Sequence, residues 1–198
     1  MTPEFFLQVP LKGALKILPT NMDSPAARAM VIAICLQESK LTHRRQVGGP
    51  ARGFAQFEQG GGVVGVLTHP QISAYTKVVC ASLDVAPTTT AVYAALEQND
   101  VLAAALARLL LWTVPETLPI KSEPEKGWSQ YILAWRPGKP HKETWAANFA
   151  HAWDLVEADA AQEVFEQEAL LIQDAARTFV SSLTSLQQVA LPPAAPPQ

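Results

Sequence analysis

Glu38 and Ser39 close the apolar run Ile34-Cys35-Leu36-Gln37-Glu38-Ser39, and Arg52-Gly53-Phe54-Ala55-Gln56-Phe57 follows after a polar loop. A carboxyl at the end of an apolar helix sits where water is scarce. Desolvation raises its pKa and can keep it protonated near neutral pH. A protonated carboxyl in a cleft is the general acid that glycosidic-bond cleavage requires. Gly53 lets the backbone approach closely, and the Gln56 amide can both donate to and accept from a sugar. Taken alone, Glu38 reads first as a structural carboxylate paired with Arg44, Arg45 or Arg52, and Gln56 as an ordinary loop glutamine. Their joint spacing favours acid/base work.

A glycosidase normally needs two carboxylates. Glu58, two residues after Gln56, is the nearest second candidate, ahead of Asp84, Glu97 and Asp100. Trp128, Tyr131 and Trp135 share one helical face, which suits either core packing or a sugar-stacking wall. His43, Arg44 and Arg45 form a basic cluster after the acid. It fits a solvated loop start, a face for an anionic wall polymer, or a clamp on the cleft loop. Gly60-Gly61-Gly62 lacks the Lys-Ser/Thr of a phosphate cradle and reads as a flexible cleft loop. His69 and His141 sit beside prolines at element boundaries, where capping is their expected work. Cys35 and Cys80 lie in apolar helical runs and are expected as buried thiols, with a disulfide as the alternative. No closely spaced His/Cys cluster suggests a metal, and no cofactor is expected.

The offsets carry a resemblance. Ser39 follows Glu38 directly, Gly53 lies fifteen residues after Glu38, and Gln56 eighteen after. This pattern of Glu-Ser at a helix end, a loop, then Gly-x-x-Gln resembles the goose-type lysozyme and soluble lytic transglycosylase superfamily. A third family motif, Ala-Tyr-Asn-x-Gly, is matched best by Ala134-Trp135-Arg136-Pro137-Gly138, with Trp135 in place of the tyrosine and Arg136 in place of the asparagine. The resemblance spans residues 24–150. It implies a lysozyme-like all-α domain with an irregular cleft loop, acting on peptidoglycan glycan strands without a cofactor. Glu38 would be the acid/base; Ser39, Gly53, Phe54, Gln56, Trp135 and Arg136 would contact substrate or support the acid. Family chemistry uses one acid: Glu38 protonates the leaving oxygen, the substrate's N-acetyl group supports the cation, and Glu38 then takes the proton of the sugar's own 6-hydroxyl. Two other readings stay open. One is a hydrolytic lysozyme or chitinase-like enzyme using Glu58. The other is an inactive structural virion protein on the same scaffold.

Several elements must position these groups. Asp23-Ser24-Pro25 is a helix start, with a capping side chain before proline at the first helical position, and predicts a helix from Pro25 to about Leu41. Residues 4–18 read as a short helix in two pieces, broken at Pro10 and Gly13. Thr42 to Gly62 reads as loop, and Thr68 as the cap of a helix running to about Leu83. Further helices are expected near 89–96, 99–113 (capped by Asn99), 124–135 and 142–158. From Ala160 to Leu186, Val164, Phe165, Leu171, Ile172, Phe179 and Leu183 recur at helical spacing. The expected organisation is an N-terminal segment (1–23), a lysozyme-like domain (24–158), a C-terminal amphipathic helix (159–191) and a proline-rich tail (192–198).

Of the 198 residues, 48% are hydrophobic and 17% charged, so much of the chain must be buried in its own core or against partners. A net charge of −3 argues against a nucleic-acid binder driven by phosphate contacts. No apolar run is long enough for a transmembrane segment. The N-terminus, Met1-Thr2-Pro3-Glu4-Phe5-Phe6, lacks a basic region before an apolar stretch, so no signal peptide is expected. A wall-cleaving enzyme without an export signal fits a bacteriophage virion protein acting in the host periplasm or cell wall. Residues 160–186 would then dock on other virion proteins or on a second copy.

Overall fold

The structure, a computed structural model, describes residues 1–189, with side chains through residue 183. The expected tail at 192–198 lies outside the described residues. The chain is all-α and divides into two units, Met1–Glu157 and Ala158–Gln198. Among the described residues the only β pairing is two isolated bridges, Arg45 with Arg52 and Arg52 with Phe57. No helix is long and apolar enough to cross a membrane among the described residues.

The first unit is built around α3 (Pro25–Ser39) and α7 (Asp100–Trp112). Both start as their sequences dictate. The Ser24 hydroxyl accepts the Ala27 N–H at 3.1 Å, and the Asn99 side chain accepts that of Leu102 at 2.9 Å. Both are apolar nearly all round, and a helix of that kind must be buried. Ala29 through Cys35 are buried without interruption on α3, as are Leu102 through Leu109 on α7.

Residues 1–23 are not a separate segment, contrary to the sequence expectation. They form α1 (Pro3–Phe6), a π-helical stretch (Leu7–Leu11) and α2 (Lys12–Ile17) in one continuous path. The widened turn contains Pro10, whose missing N–H would otherwise break an α-helical ladder. Phe6, Leu7, Leu11 and Ala14 are fully buried in the common core, and Phe6 meets Phe54 edge-on at 6.1 Å. Arg108 on α7 donates through Nε to the Met22 carbonyl at 2.6 Å and lies over the Trp112 ring. Burial lowers its pKa to about 10 against the opposing pull of Asp23.

Two further expectations are corrected between 59 and 83. Gly60–Gly62 belong to a π-helical turn, Gln59–Val63, that runs into α4 (Val64–Thr68). A Cβ on Gly62 would stand 2.5 Å from Phe57 Cδ1, so close approach is what requires glycine there. Thr68 ends α4 instead of capping the next helix, because its hydroxyl bonds back to the Val64 carbonyl at 2.8 Å. The following helix, α5, runs Ser73–Ser82, and α6 runs Thr89–Ala95.

α8 (Pro124–Trp135) and the first part of α9 (Lys142–Val189) complete the first unit. The two units divide at residues 157 and 158, yet the helix itself does not end there. α9 runs 48 residues without a glycine or proline to stop it. Gly127 lets α8 lie close to its neighbours: a Cβ there would meet Phe149 Cε2 at 2.9 Å, Trp145 Cζ2 at 3.2 Å and Met30 Sδ at 3.3 Å. The first two are atoms of packed rings that cannot swing aside. Gly127→Val should therefore destabilise the protein by at least about 2 kcal/mol through overpacking, read as a fall in the urea midpoint at unchanged slope.

Candidate active site

Helix α3 ends abruptly, and that ending places the acid. Lys40 (φ 53°) and Leu41 (φ 54°) both adopt the left-handed conformation, which turns the chain sharply and drives Leu41 into the core. Such geometry costs roughly 1–2 kcal/mol per non-glycine residue and needs fixing by its surroundings. Ser39 supplies part of that. Its hydroxyl reaches the Phe54 carbonyl at 2.8 Å and the Cys35 carbonyl at 3.0 Å, and it accepts the Leu41 N–H at 3.3 Å. The serine beside the acid thus fastens the returning loop to the helix end.

Glu38 projects from this end into an aromatic enclosure. Its Oε1 accepts the Tyr131 hydroxyl at 2.6 Å. Tyr131 is itself held by stacking on Trp145, with centroids 5.2 Å apart and planes 12° from parallel, and by Trp128 at 5.4 Å. Burial lifts the Glu38 carboxyl from its ordinary 4.5 to about 7; the Tyr131 bond pulls it down and the charge of Glu58 pushes it up. Burial and then the Glu38 charge push the Tyr131 phenol upward in turn, so it stays a donor. The Cys35 thiol behind the acid is also raised, chiefly by burial. Cys35 and Cys80 are both free and buried.

The loop opposite is held by ion pairs and backbone strain. Gly53 has φ 71°, and a Cβ there would approach Ala103 Cβ at 3.1 Å and the Leu96 carbonyl at 3.2 Å. Arg44 makes a bidentate pair with Asp100 at 2.8 and 2.7 Å and lies over the Phe54 ring. Arg52 pairs with Glu97 at 2.9 Å and lies over Tyr93. Part of the basic cluster is therefore a clamp on this loop. Gln56 (φ 51°) gives its amide hydrogens to the Gly53 carbonyl at 2.8 Å and the His43 carbonyl at 3.2 Å. Two carbonyl partners fix which way the amide faces, and they leave its oxygen as the acceptor for a ligand. The Trp135 indole N–H donates to the Ala55 carbonyl at 2.9 Å, so α8 also grips the loop. Arg136 then takes the left-handed position that ends α8.

These elements enclose a cleft of about 1210 Å³. Glu38, Gln56, Glu58, Trp135 and Arg136 all line it, together with Tyr131, Gln37 and the bare backbone of Gly61, Gly62 and Gly65. Ser39, Gly53 and Phe54 do not. All three are buried, so they stand behind the wall of the cleft, where Ser39 supports the end of the acid's helix. Tyr131 was missed as a partner of the acid. Trp135 stood in the place of the motif tyrosine, yet the residue touching Glu38 is one helical turn earlier. The available signal was chemical: a tyrosine on a buried aromatic face needs an acceptor for its hydroxyl. Gln37 was also missed. Its amide ties α3 to the start of α9 through the His141 carbonyl, Thr144 and Asn148. No cluster of metal-ligating side chains occurs among the described residues.

No protein-family model, curated protein or solved structure matches the chain.

The geometry makes Glu38 a group that is mostly protonated below about pH 7 and mostly charged above it. Any reaction using it as an acid should lose rate above that pH. Because Tyr131 favours the charged form, Tyr131→Phe should move this alkaline limb to higher pH by roughly one unit, measured as kcat/KM against pH. The linked stability has a definite sign. The folded pKa lies above the unfolded one, so stability falls as pH rises from about 4.5 to about 7 and levels off beyond. Glu38→Gln should flatten that slope, gaining at most about 3 kcal/mol at pH 8, read from urea unfolding at pH 4.5 and 8.

Proposed function

We propose that the protein is a peptidoglycan-cleaving lytic transglycosylase acting on the β-1,4 bond between N-acetylmuramic acid and N-acetylglucosamine, with Glu38 as its single acid/base. The observation that carries this is the Glu38 carboxyl itself. It is desolvated to a pKa of about 7, held by Tyr131, and set in a cleft of about 1210 Å³, with Gln56 lining the same space. Glu38 gives its proton to the leaving glycosidic oxygen as that bond breaks, and the neighbouring N-acetyl oxygen supports the positive charge at the anomeric carbon. The carboxylate so formed takes the proton of the sugar's own 6-hydroxyl as that oxygen bonds to the anomeric carbon. The product is a 1,6-anhydro sugar, and Glu38 ends protonated. The Gln56 carbonyl oxygen accepts from a sugar hydroxyl or amide, and Trp135 offers a ring edge to the chain.

Glu58 supports a second reading, since it is exposed, lines the same cleft and raises the Glu38 pKa. In that case a water replaces the 6-hydroxyl and the enzyme is a hydrolase. The biological setting we propose is a bacteriophage virion, where wall cleavage would aid genome delivery.

Product analysis on purified peptidoglycan separates these readings. Anhydro-muropeptides are expected; reducing ends would assign hydrolysis and Glu58; no product would leave an inactive scaffold. Glu38→Gln should lower the rate by about 10²–10⁴-fold with the fold intact by circular dichroism. Full activity in Glu38→Gln would overturn the assignment.

A further inference from the structure

The cleft carries charge that the acid does not use. Arg136 and Lys139 both line it, both are exposed, and both come from the short segment that joins α8 to α9. Elsewhere in the first unit, arginines are spent on the protein's own acids: Arg28 on Asp23, Arg44 on Asp100 and Arg52 on Glu97. These two cations are not. The Arg136 Nε reaches the Leu133 carbonyl at 3.4 Å, and among the described residues neither side chain meets a carboxylate. Two acids on the flanking helices are already taken by neighbours. Glu143 is 3.0 Å from His141, and Glu125 is 2.7 Å from Lys142.

Unpaired cations on an open surface are ordinary. What sets these apart is how firmly their segment is fixed against the acid. At its start, the Arg136 N–H closes α8 on the Ile132 carbonyl at 3.0 Å, and the Trp135 indole grips the Ala55 carbonyl at 2.9 Å. At its end, the His141 carbonyl accepts the side-chain amide of Gln37 at 2.8 Å, and Gln37 is the residue before Glu38. Between these anchors, Arg136 and Lys139 each directly precede a proline, which narrows the backbone freedom of both positions. The cations therefore ride on a segment braced to the acid's own helix. A ligand group that meets them orders little backbone on binding.

Two such cations select one kind of group. A guanidinium forks onto a carboxylate with two hydrogen bonds, and an ammonium adds a point charge. A neutral sugar hydroxyl gains less from either. Glu58, on the separate segment after Gln56, lines the same cleft and repels a carboxylate, so a ligand that carries one is also oriented by the pair of opposite charges.

We propose that Arg136 and Lys139 form a carboxylate-binding subsite in the cleft, which makes an anionic glycan the substrate in preference to a neutral one such as chitin. This subsite rests on the glycan-cleaving function proposed for Glu38 and adds the group that the glycan must carry. In peptidoglycan that group has two sources. One is the lactyl carboxylate of muramic acid where no peptide is attached; the other is the set of peptide carboxylates where one is.

The test is binding, read by calorimetry on the full chain with Glu38→Gln to stop turnover. The probes are oligosaccharides of one length: a neutral N-acetylglucosamine oligomer, an alternating N-acetylglucosamine and N-acetylmuramic acid oligomer with free lactyl carboxylates, and the same oligomer bearing its peptides. At about 50 mM salt at least one carboxylate-bearing probe should bind at least about fivefold more tightly than the neutral one, and the advantage should shrink at about 500 mM. A preference that includes the free-lactyl probe assigns the lactyl group; a preference for the peptide-bearing probe alone assigns the peptide. Adding Arg136→Asn and Lys139→Gln should abolish the advantage and leave the neutral affinity unchanged. Asparagine suits the left-handed backbone at 136, so the fold is kept. Adding Arg136→Lys and Lys139→Arg instead should retain most of the advantage. Equal affinity for all probes, a preference that survives the first pair of substitutions, or a matching loss for the neutral probe overturns the subsite. So does the absence of binding to any probe when the unaltered chain cleaves the wall. Absence of binding together with absence of cleavage overturns both the subsite and the glycan-cleaving function.

Discussion

The first unit depends on the burial of α3 on every side from Ala29 to Cys35. A helix apolar on every side has no solvent face, so the rest of the unit must wrap it. α1, α7 and the aromatic residues of α8 and α9 do so. Only at its C-terminal end, at Gln37 and Glu38, does the helix offer polar side chains to a cleft. The chain cannot continue in the same direction there, and two successive left-handed residues turn it away. The acid therefore stands where a buried helix stops, and its environment follows from its place on that helix.

Two sets of contacts keep that end from relaxing. On one side Ser39 binds the Phe54 carbonyl and Arg44 binds Asp100, which joins the cleft loop to α3 and α7. On the other, Tyr131 binds Glu38 and Trp135 binds the Ala55 carbonyl, which joins α8 to the acid and to the same loop. The acid, the Gln56 amide and the aromatic wall are thus mutually braced by short bonds between elements far apart in sequence. Preorganisation of this kind is what a site needs if little is to move when charge develops.

What could be read from the sequence was local. Ser24-Pro25 and Asn99 announced their helices because a cap acts on the very next turn. That Glu38 and Gln56 would face one cleft was legible because both lie on one short segment. What failed was non-local. Pro10 looked like a break because nothing nearby shows that a widened turn absorbs it. Gly62 looked flexible because its constraint is the Phe57 ring. Tyr131 escaped because its partner is 93 residues away. Ser39 and Phe54 could face the cleft or back its wall, and only the packed structure shows on which side each lies. The change of pattern near residue 158 coincides with the division between the two units, but with no glycine or proline to stop it α9 continues through that point.

The balance at Glu38 has a consequence for how one group could serve two steps. Burial alone would raise the carboxyl further and leave it a poor base once its proton had gone, because recharging it in a dry site is costly. Tyr131 opposes this by stabilising the carboxylate. The opposing effects place the pKa at about 7, so the protonated and charged forms lie close in free energy near neutral pH. A residue that must give a proton in one half of a reaction and take one back in the other works best at that balance, since neither half then runs steeply uphill. A separate acid and base could each be tuned far from neutrality in opposite directions. The balanced state of Glu38 is the property a single-residue cycle needs, and Tyr131 is the side chain that opposes burial to produce it.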